Sequence, residues 1–204
     1  MNVLRVLVAC EYSGVVRDAF LSLGHDAWSC DLLPSDACND RHIKGDCIPV
    51  IRQGWDIIIM HPPCTALTVA GNAHYGEGMS KHQERIESAE WTKKLFELAI
   101  ANAKIGVCME NPVGVLPRMA GLKCSQYIQP YQFGHAEQKK TGLWLNGLPP
   151  LLETNNVYDE MMKLPKNERM RLHYLPPSKD RWKIRSTTFS GIALAMASQW
   201  GGMV

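Results

Sequence analysis

The sequence predicts a doubly wound α/β fold, because short apolar runs of strand length alternate with segments that have helical spacing. The runs lie at residues 3–10, 27–30 and 57–60, and a helical segment at 15–23 separates the first two. Strands that alternate with helices in this way form a parallel sheet with helices on both faces. With 204 residues, of which 46% are hydrophobic, the chain is long enough for one such core, and we predict a single domain over residues 1–204.

The first third of the chain supplies four strands in order. Residues 3–10 are apolar and rich in branched side chains, as in a buried parallel strand, and they end at a turn that contains Gly14. The helix that follows ends at Gly24. The next predicted elements are a second strand at 27–30, a short third element at 42–47 and a fourth strand at 57–60, which stops at Pro62-Pro63.

The remainder of the chain is predicted to complete the sheet and cover it. A glycine-rich loop at 71–80 leads into a long amphipathic helix at 81–103, and a fifth strand is predicted at 105–109. Further elements are a β-hairpin at 131–145 that turns around 135–140, a short irregular basic segment at 146–185 and a C-terminal segment at 186–204 that begins with a helix.

Composition excludes several classes of protein. No apolar run reaches the length of a membrane span, and the first residues lack the pattern of a signal peptide, so we expect a cytoplasmic protein without a membrane partner. The seven cysteines include no Cys-x-x-Cys pair, which favours reduced thiols and predicts no metal site. The oligomeric state has no signal in the sequence.

Polar or reactive residues fall at the ends of the predicted strands, where open α/β sheets bind their ligands. They are Tyr12-Ser13-Gly14 after the first strand, Asp31 after the second, Gly45-Asp46 before the fourth, Pro62-Pro63-Cys64 after the fourth and Glu110-Asn111-Pro112 after the fifth. Each alone has an ordinary structural interpretation, such as a helix cap for an Asp or a buried thiol for a Cys. Their common order and spacing indicate a ligand-binding edge.

In that order the residues resemble the DNA cytosine-5 methyltransferase family, in a small form of the kind that bacteriophages encode. The resemblance covers residues 3–145 and 185–200, and it is most specific at Pro63-Cys64 and Glu110-Asn111. It implies a Rossmann-like methyltransferase fold with S-adenosylmethionine as cofactor. It also implies that residues 186–204 pack back on the cofactor pocket.

The resemblance implies catalytic roles for three residues. Cys64 would add as a thiolate to carbon 6 of cytosine, which activates carbon 5, because a thiolate is strongly nucleophilic and can leave again. Glu110, with a pKa raised by burial, would donate a proton to ring nitrogen 3, and Asn111 would orient the loop.

Ligand-binding roles are implied in the same way. The cofactor would contact the Tyr12, Ser13 and Gly14 turn through its methionine part, Asp31 through its ribose and Asp46 through its adenine, with Pro62 beside it. The predicted substrate contacts are Pro63, Thr65, Gln138 and Lys140 near the reactive base, and Lys179, Arg181 and Lys183 on the phosphates.

DNA is the expected partner, because eight Lys and Arg against two acids lie between Lys163 and Arg185. An ordinary solvated surface is the alternative. Only about forty residues separate Leu145 from Arg185, too few for the target-recognition domain of the family, so little sequence specificity is expected. The loop at 71–80 would close over a base flipped out of the duplex, unless it is a plain turn.

Other functions stay open at this point. The same chemistry could act on a free cytosine nucleotide, or the transferred group could be another alkyl group. The residues around Pro62-Pro63 also have the shape of an amino-methyltransferase motif, although His61 and Cys64 differ from its end residues. A relative that binds DNA or cofactor without turnover is the last alternative.

Overall fold

The computed structural model describes residues 2–37 and 40–203, and a seven-stranded sheet of order β3-β2-β1-β4-β5-β7-β6 forms the centre of this part of the chain. The strands are Arg5–Ala9 (β1), Asp26–Asp31 (β2), His42–Lys44 (β3), Trp55–Met60 (β4), Ala103–Pro112 (β5), Gln126–Ile128 (β6) and Thr141–Asn146 (β7). Strands β1 to β5 are parallel, and β7 pairs antiparallel with both β5 and β6. The strand order reverses between β1 and β4, as it does at the ligand-binding crevice of a Rossmann fold, so the predicted fold class is confirmed.

The helices are mostly short. In chain order they are Val15–Ser22 (α1), Cys47–Ile51 (α2), Asn72–Tyr75 (α3), His82–Asn102 (α4), Leu116–Met119 (α5), Tyr158–Lys163 (α6), Lys166–Arg169 (α7), Arg171–Tyr174 (α8), Arg181–Ser186 (α9) and Ser190–Gly201 (α10). None of the helices in the described ranges is long and apolar enough to cross a membrane.

Each face of the sheet carries its own hydrophobic core. Helices α1 and α10 cover one face, where Trp200 is fully buried, and α2 and α4 cover the other, where Trp55 is almost fully buried. Both indoles satisfy their N–H groups in the core: Trp200 Nε1 donates to Pro149 O at 3.0 Å, and Trp55 Nε1 donates to Val50 O at 2.8 Å. The two cores hold β1, β4 and β5 rigidly and fix where their carboxyl ends meet.

The prediction of a β-hairpin at 131–145 is wrong. Its second strand is β7, but the partner is β6 at Gln126–Ile128, and residues 131–140 form the connection. Pro130 has no N–H for a strand ladder and instead starts a 3₁₀ turn, at whose beginning the Gln129 N–H donates to Gln132 Oε1 at 2.6 Å. The chain therefore leaves the sheet at this proline.

Three other boundaries differ from the sequence prediction. The segment at 146–185 is only partly irregular, since α6, α7, α8 and most of α9 lie in it. The third element ends at Lys44, and Asp46 begins helix α2 instead. Strand β5 continues to Pro112 because its pairing with β7 extends that far, so Glu110 and Asn111 lie within the strand rather than after it.

Candidate active site

The segment after β4 turns sharply and places Cys64 beside β5. His61 N still donates to Ala9 O at 3.0 Å, but Pro62 and Pro63 cannot continue the ladder because they have no N–H. Asn111, almost fully buried on β5, donates from Nδ2 to Pro62 O at 3.0 Å and fixes the turn. The half-buried Cys64 then begins the next turn, and its carbonyl oxygen accepts the N–H of Leu67.

His61 and Glu110 form an ion pair at this edge of the sheet. His61 Nδ1 lies 2.7 Å from Glu110 Oε2, and the two side chains are only 12% and 13% exposed. Burial alone would raise the pKa of Glu110, but the hydrogen bond and positive charge of His61 outweigh it and hold the pKa below its ordinary 4.5. The prediction that Glu110 has a raised pKa is therefore wrong.

The pKa of His61 is displaced in the opposite direction. Burial would lower it, but the hydrogen bond to Glu110 and the negative charges of Glu110 and Glu11 raise it above its ordinary 6.5. At pH values between these two ordinary pKa values the pair therefore consists of an imidazolium and a carboxylate. His61 was missed from the sequence as a site residue, although it directly follows β4.

Two cations that are distant in the sequence, Lys139 and Arg185, act on the Cys64 thiol. Burial and the nearby Glu110 charge raise the pKa of Cys64, while Lys139 and Arg185 act to lower it. Lys140, the predicted substrate contact, is instead exposed, and its Nζ lies 4.5 Å from the centre of the Tyr127 ring. At neutral pH the resting thiol is protonated, with two cations placed to favour its ionisation.

The turn after β1 is built around a buried carboxylate that was not predicted as a site residue. Glu11, only 4% exposed, accepts the backbone N–H of Val16 at 2.8 Å and of Arg17 at 3.3 Å, so it caps helix α1. Burial raises its pKa. Gly14 has a φ of 75°, and a side chain there would clash with the guanidinium of Arg17, so two constraints require glycine.

A cavity of about 50 Å³ lies between this turn and the C-terminal part of the chain. Residues 10–13, His61, Ser186 and Thr188 line it. The Tyr12 hydroxyl donates to Lys183 O at 3.1 Å and lies 3.0 Å from Ser186 Oγ, and its ring lies 5.4 Å from that of Trp182. Helix α9 therefore covers the predicted Tyr12-Ser13-Gly14 turn.

The two predicted cofactor carboxylates have local structural partners. Asp31 Oδ1 accepts the N–H of Leu33, and Asp46 Oδ1 accepts the N–H of Ile48 at the start of α2, each at 2.9 Å. One oxygen of each carboxylate is thus used for a turn or a helix cap. Asp31 is the last residue of β2, whereas Asp46, which was predicted to precede the fourth strand, follows β3 and is separated from β4 by helix α2.

The predicted substrate residues divide into two groups. Pro63 and Thr65 are exposed beside Cys64, and Gln138 precedes Lys139, with its N–H bonded to Arg169 O at 2.6 Å. On the basic segment, Lys183 pairs with Asp36 at 3.1 Å and Arg181 Nε donates to Leu175 O at 2.8 Å, while Lys179 is exposed.

The predicted lid loop at 71–80 is anchored at its beginning. The almost fully buried Arg85 on α4 donates to Ala66 O at 2.6 Å, to Asn72 Oδ1 at 2.8 Å and to Thr68 O at 3.1 Å. Residues 77–80 are exposed. Any closing movement of this loop would therefore involve its second half.

No protein-family model matches the sequence, and no curated protein matches it significantly. Among solved structures, the chain is similar to the methyltransferase EhMeth of Entamoeba histolytica, with a TM-score of 0.48 and 12% identity over 76% of this chain and 58% of that chain. It is also similar to a putative DNA modification methyltransferase encoded within an E. coli prophage, with a TM-score of 0.42 and 12% identity over 79% and 55% of the two chains.

The Dnmt2 methyltransferase of S. pombe is a third similar structure, with a TM-score of 0.43 and 13% identity over 88% of this chain and 61% of that chain. The chain thus spans between 55% and 61% of the length of these three proteins. At this level of identity the likeness concerns the fold alone.

Proposed function

We propose that this chain is an S-adenosylmethionine-dependent methyltransferase that acts on carbon 5 of cytosine in DNA. One observation supports the proposal more than any other: the Cys64 thiol, after β4, lies close enough to the Glu110 carboxyl, near the carboxyl end of β5, for the charge of Glu110 to raise its pKa, and Asn111 fixes the turn that carries Cys64. A nucleophile beside an acid–base group is the arrangement that covalent catalysis on a ring requires.

Each residue type meets a need of that reaction. Carbon 5 of cytosine is a poor nucleophile, and addition of the Cys64 sulfur to carbon 6 turns the ring into an enamine that is a good one. The addition pushes negative charge toward ring nitrogen 3, where the carboxyl of Glu110 would supply a proton. Lys139 and Arg185 act to lower the pKa of Cys64 and so favour the thiolate.

The residues that follow β1 and β3, and Asp31 at the end of β2, are of the types that the cofactor requires. S-adenosylmethionine, when bound, supplies the activated methyl group. The turn of Tyr12, Ser13 and Gly14 would hold its methionine part, and the carboxylates of Asp31 and Asp46 would accept the hydroxyl and amino protons of its ribose and adenine. His61, whose buried Nε2 has no hydrogen-bond partner among the described residues, lines the cavity beside this turn.

The size of the cavity adds a requirement to this proposal. Ligand pockets for small molecules have volumes of about 300–1,000 Å³, whereas the cavity beside Tyr12 measures about 50 Å³. Cofactor binding would therefore move helix α9 outward, breaking the contacts of Tyr12 with Lys183 and Ser186.

The surface around α9 supports DNA rather than a free nucleotide as the substrate. Trp182 and Tyr174 are 49% and 50% exposed among the basic residues of the segment, and Arg185, close enough to Cys64 to affect its pKa, joins that surface to the site. Cations with interleaved aromatic rings contact the phosphates and bases of nucleic acids. A free nucleotide would need only a few of these cations.

Transfer of labelled methyl from S-adenosylmethionine tests the proposal. The acceptors are duplex DNA, single-stranded DNA and deoxycytidine monophosphate in parallel, with Cys64→Ala as control and nucleoside mass spectrometry to identify the product. We expect 5-methylcytosine in DNA and none with the variant. Label only in the mononucleotide would make the substrate a free nucleotide, and no label in any acceptor would contradict methyl transfer to cytosine.

A further inference from the structure

The pairing of His61 with Glu110 conflicts with a simple acid role for Glu110. The proposed reaction needs a proton at ring nitrogen 3 when Cys64 adds to carbon 6. An ionised Glu110 has no proton to give, and the 2.7 Å bond to His61 favours its ionised form. In the resting site the spare proton is on His61.

We propose that His61 is a positioning residue that stores the proton which Glu110 delivers to the cytosine ring. The proposal rests on the function proposed above. Its basis is geometric: His61 Nδ1 contacts Glu110 Oε2 directly, both side chains are largely buried, and Asn111, the next residue on β5, fixes the turn that follows His61.

The proton balance of the step is as follows. The Cys64 thiol first loses its proton to solvent, and the Nδ1 proton of His61 moves to the Glu110 carboxylate. The Cys64 sulfur then forms a bond to carbon 6, the conjugated ring electrons shift toward nitrogen 3, and nitrogen 3 takes that proton from the Glu110 carboxyl. The step leaves a neutral His61, an ionised Glu110 and a protonated ring, so the pair has lost one proton, the one that His61 held at rest.

The charges around His61 keep it protonated at rest. Glu110 on β5 and Glu11 after β1 face it with negative charge, and Lys139, before β7, opposes them with positive charge. The uncharged thiol of Cys10 and residues Ser186 and Thr188 complete the wall of the cavity that His61 lines. A protonated Nε2 would find its acceptor in whatever enters that cavity, since the described residues provide none.

Nuclear magnetic resonance of the ¹⁵N-labelled histidine rings tests the resting state without any assay of activity. We expect the His61 ring to titrate above its ordinary 6.5 in the wild type and at a lower pH in Glu110→Gln, which removes the charge. A His61 ring that titrates below 6.5 in the wild type would overturn the proposal.

His61→Asn separates proton storage from a purely structural role, because the Asn amide can donate a hydrogen bond to Glu110 but cannot release a proton. We expect methyl transfer by this variant to be slower by about tenfold or more near pH 6.5, where the wild-type His61, whose pKa lies above that value, still holds its proton. The defect should shrink toward pH 5, because burial raises the pKa of Glu110 once the His61 charge is gone, and the carboxyl of the variant then carries its own proton. Because the charge of Glu110 raises the pKa of Cys64, the ionisation of Cys64 is titrated in both enzymes by alkylation with iodoacetamide, and the rates are compared at equal thiolate fraction.

The double variant His61→Asn/Glu110→Gln completes the test. If the two residues act as one unit, it should be no slower than Glu110→Gln alone. A His61→Asn defect that is equal at all pH values, or wild-type activity at all of them, would overturn proton storage while leaving the proposed function standing. A wild type without methyl transfer to any cytosine substrate would instead contradict the proposed function, and the titration would still report on the pair.

Discussion

The carboxyl ends of β4 and β5 and those of β1 and β2 form two halves of the candidate site, and the polar side chains of the two halves have different partners. At the ends of β4 and β5, the side chains interact across strands: His61 bonds Glu110, and Asn111 bonds the turn at Pro62. At the ends of β1 and β2, the carboxylates bond backbone N–H groups two to six residues away in the chain, as Glu11 and Asp31 do. The first arrangement joins residues of two different strands, whereas the second stabilises turns and helix ends close by in the chain.

The difference shows how far position at a strand end can be taken as evidence of function. An Asp that caps a helix is needed at that position whether or not a cofactor binds, so its position alone is weak evidence for a role in cofactor binding. A buried His–Glu pair has no such local requirement, and burying both charges is costly unless they meet. The β4–β5 half therefore carries most of the support for the proposed chemistry.

The largest expected effect is that of Cys64→Ser. We expect methyl transfer to fall by about 10⁴-fold or more, as when other enzymes lose their nucleophile, with cofactor affinity nearly unchanged in calorimetry. The matched control is Cys124→Ser, a half-buried thiol on the approach to β6, which should retain activity. Loss of cofactor affinity in a folded Cys64→Ser protein would place Cys64 in the cofactor site instead.

Asn111→Ala tests the contact between strands. The change removes the donor to Pro62 O at a position that is 1% exposed, so we expect the free energy of unfolding to fall by about 1–3 kcal/mol. Activity should fall with it, because the turn that carries Cys64 is no longer fixed. Urea unfolding measures the first effect, and an unchanged midpoint would show that the hydrogen bond contributes nothing to stability.

The His61–Glu110 pair predicts a window of pH in which it stabilises the fold. The pKa of Glu110 is lowered on folding, so its contribution is present above 4.5 and is lost as the pH falls through the folded value. The pKa of His61 is raised, so its contribution is present below 6.5 and is lost as the pH rises through the folded value.

The pair should therefore contribute most between these two pH values, with a difference from Glu110→Gln on the order of 1 kcal/mol. Urea unfolding of the two proteins from pH 4 to 9 measures it. A difference that is constant over this range would mean that the ionisation of the pair makes no contribution.

The smallest expected effects come from Asp46, which follows β3 and, like the carboxylates at the β1 and β2 ends, bonds a backbone N–H nearby in the chain. Asp46→Ala removes the α2 cap and the proposed acceptor for adenine, so we expect a loss of stability of about 1 kcal/mol and a several-fold weaker cofactor. Asp46→Asn still caps the helix but changes the charge. Equal cofactor affinity in the wild type and both variants would leave Asp46 with the helix cap as its sole role.

The sequence predicts the strands better than the connections, for physical reasons. Buried strands such as β4 show an uninterrupted apolar run that only a few structures can explain. The partner of β7 depends instead on a three-residue edge strand at Gln126–Ile128, whose sequence has no comparable signal. The short helices in 146–185 follow from local turns and caps among polar residues, which composition does not resolve.

The arrangement of the candidate site could be predicted in part for a related reason. The sequence places Cys64, Glu110 and Asn111 near the ends of neighbouring strands, because their position follows from the order of the elements. The charge state of Glu110 could not be predicted, since it depends on His61, which follows another strand and is 49 residues away in the chain. Lys139 and Lys140 present the same difficulty. They are neighbours in the sequence, but their side chains have different surroundings, and the sequence does not show which of the two lies near Cys64.

The most direct test of the central claim is a covalent bond between Cys64 and cytosine. DNA that carries 5-fluorocytosine traps such an adduct after methyl transfer, because fluorine takes the place of the proton that must leave carbon 5. With S-adenosylmethionine present, intact-protein mass spectrometry should show one oligonucleotide attached, and peptide mapping should place it on Cys64. An adduct on another residue, or methylated DNA with no adduct at all, would contradict attack by Cys64.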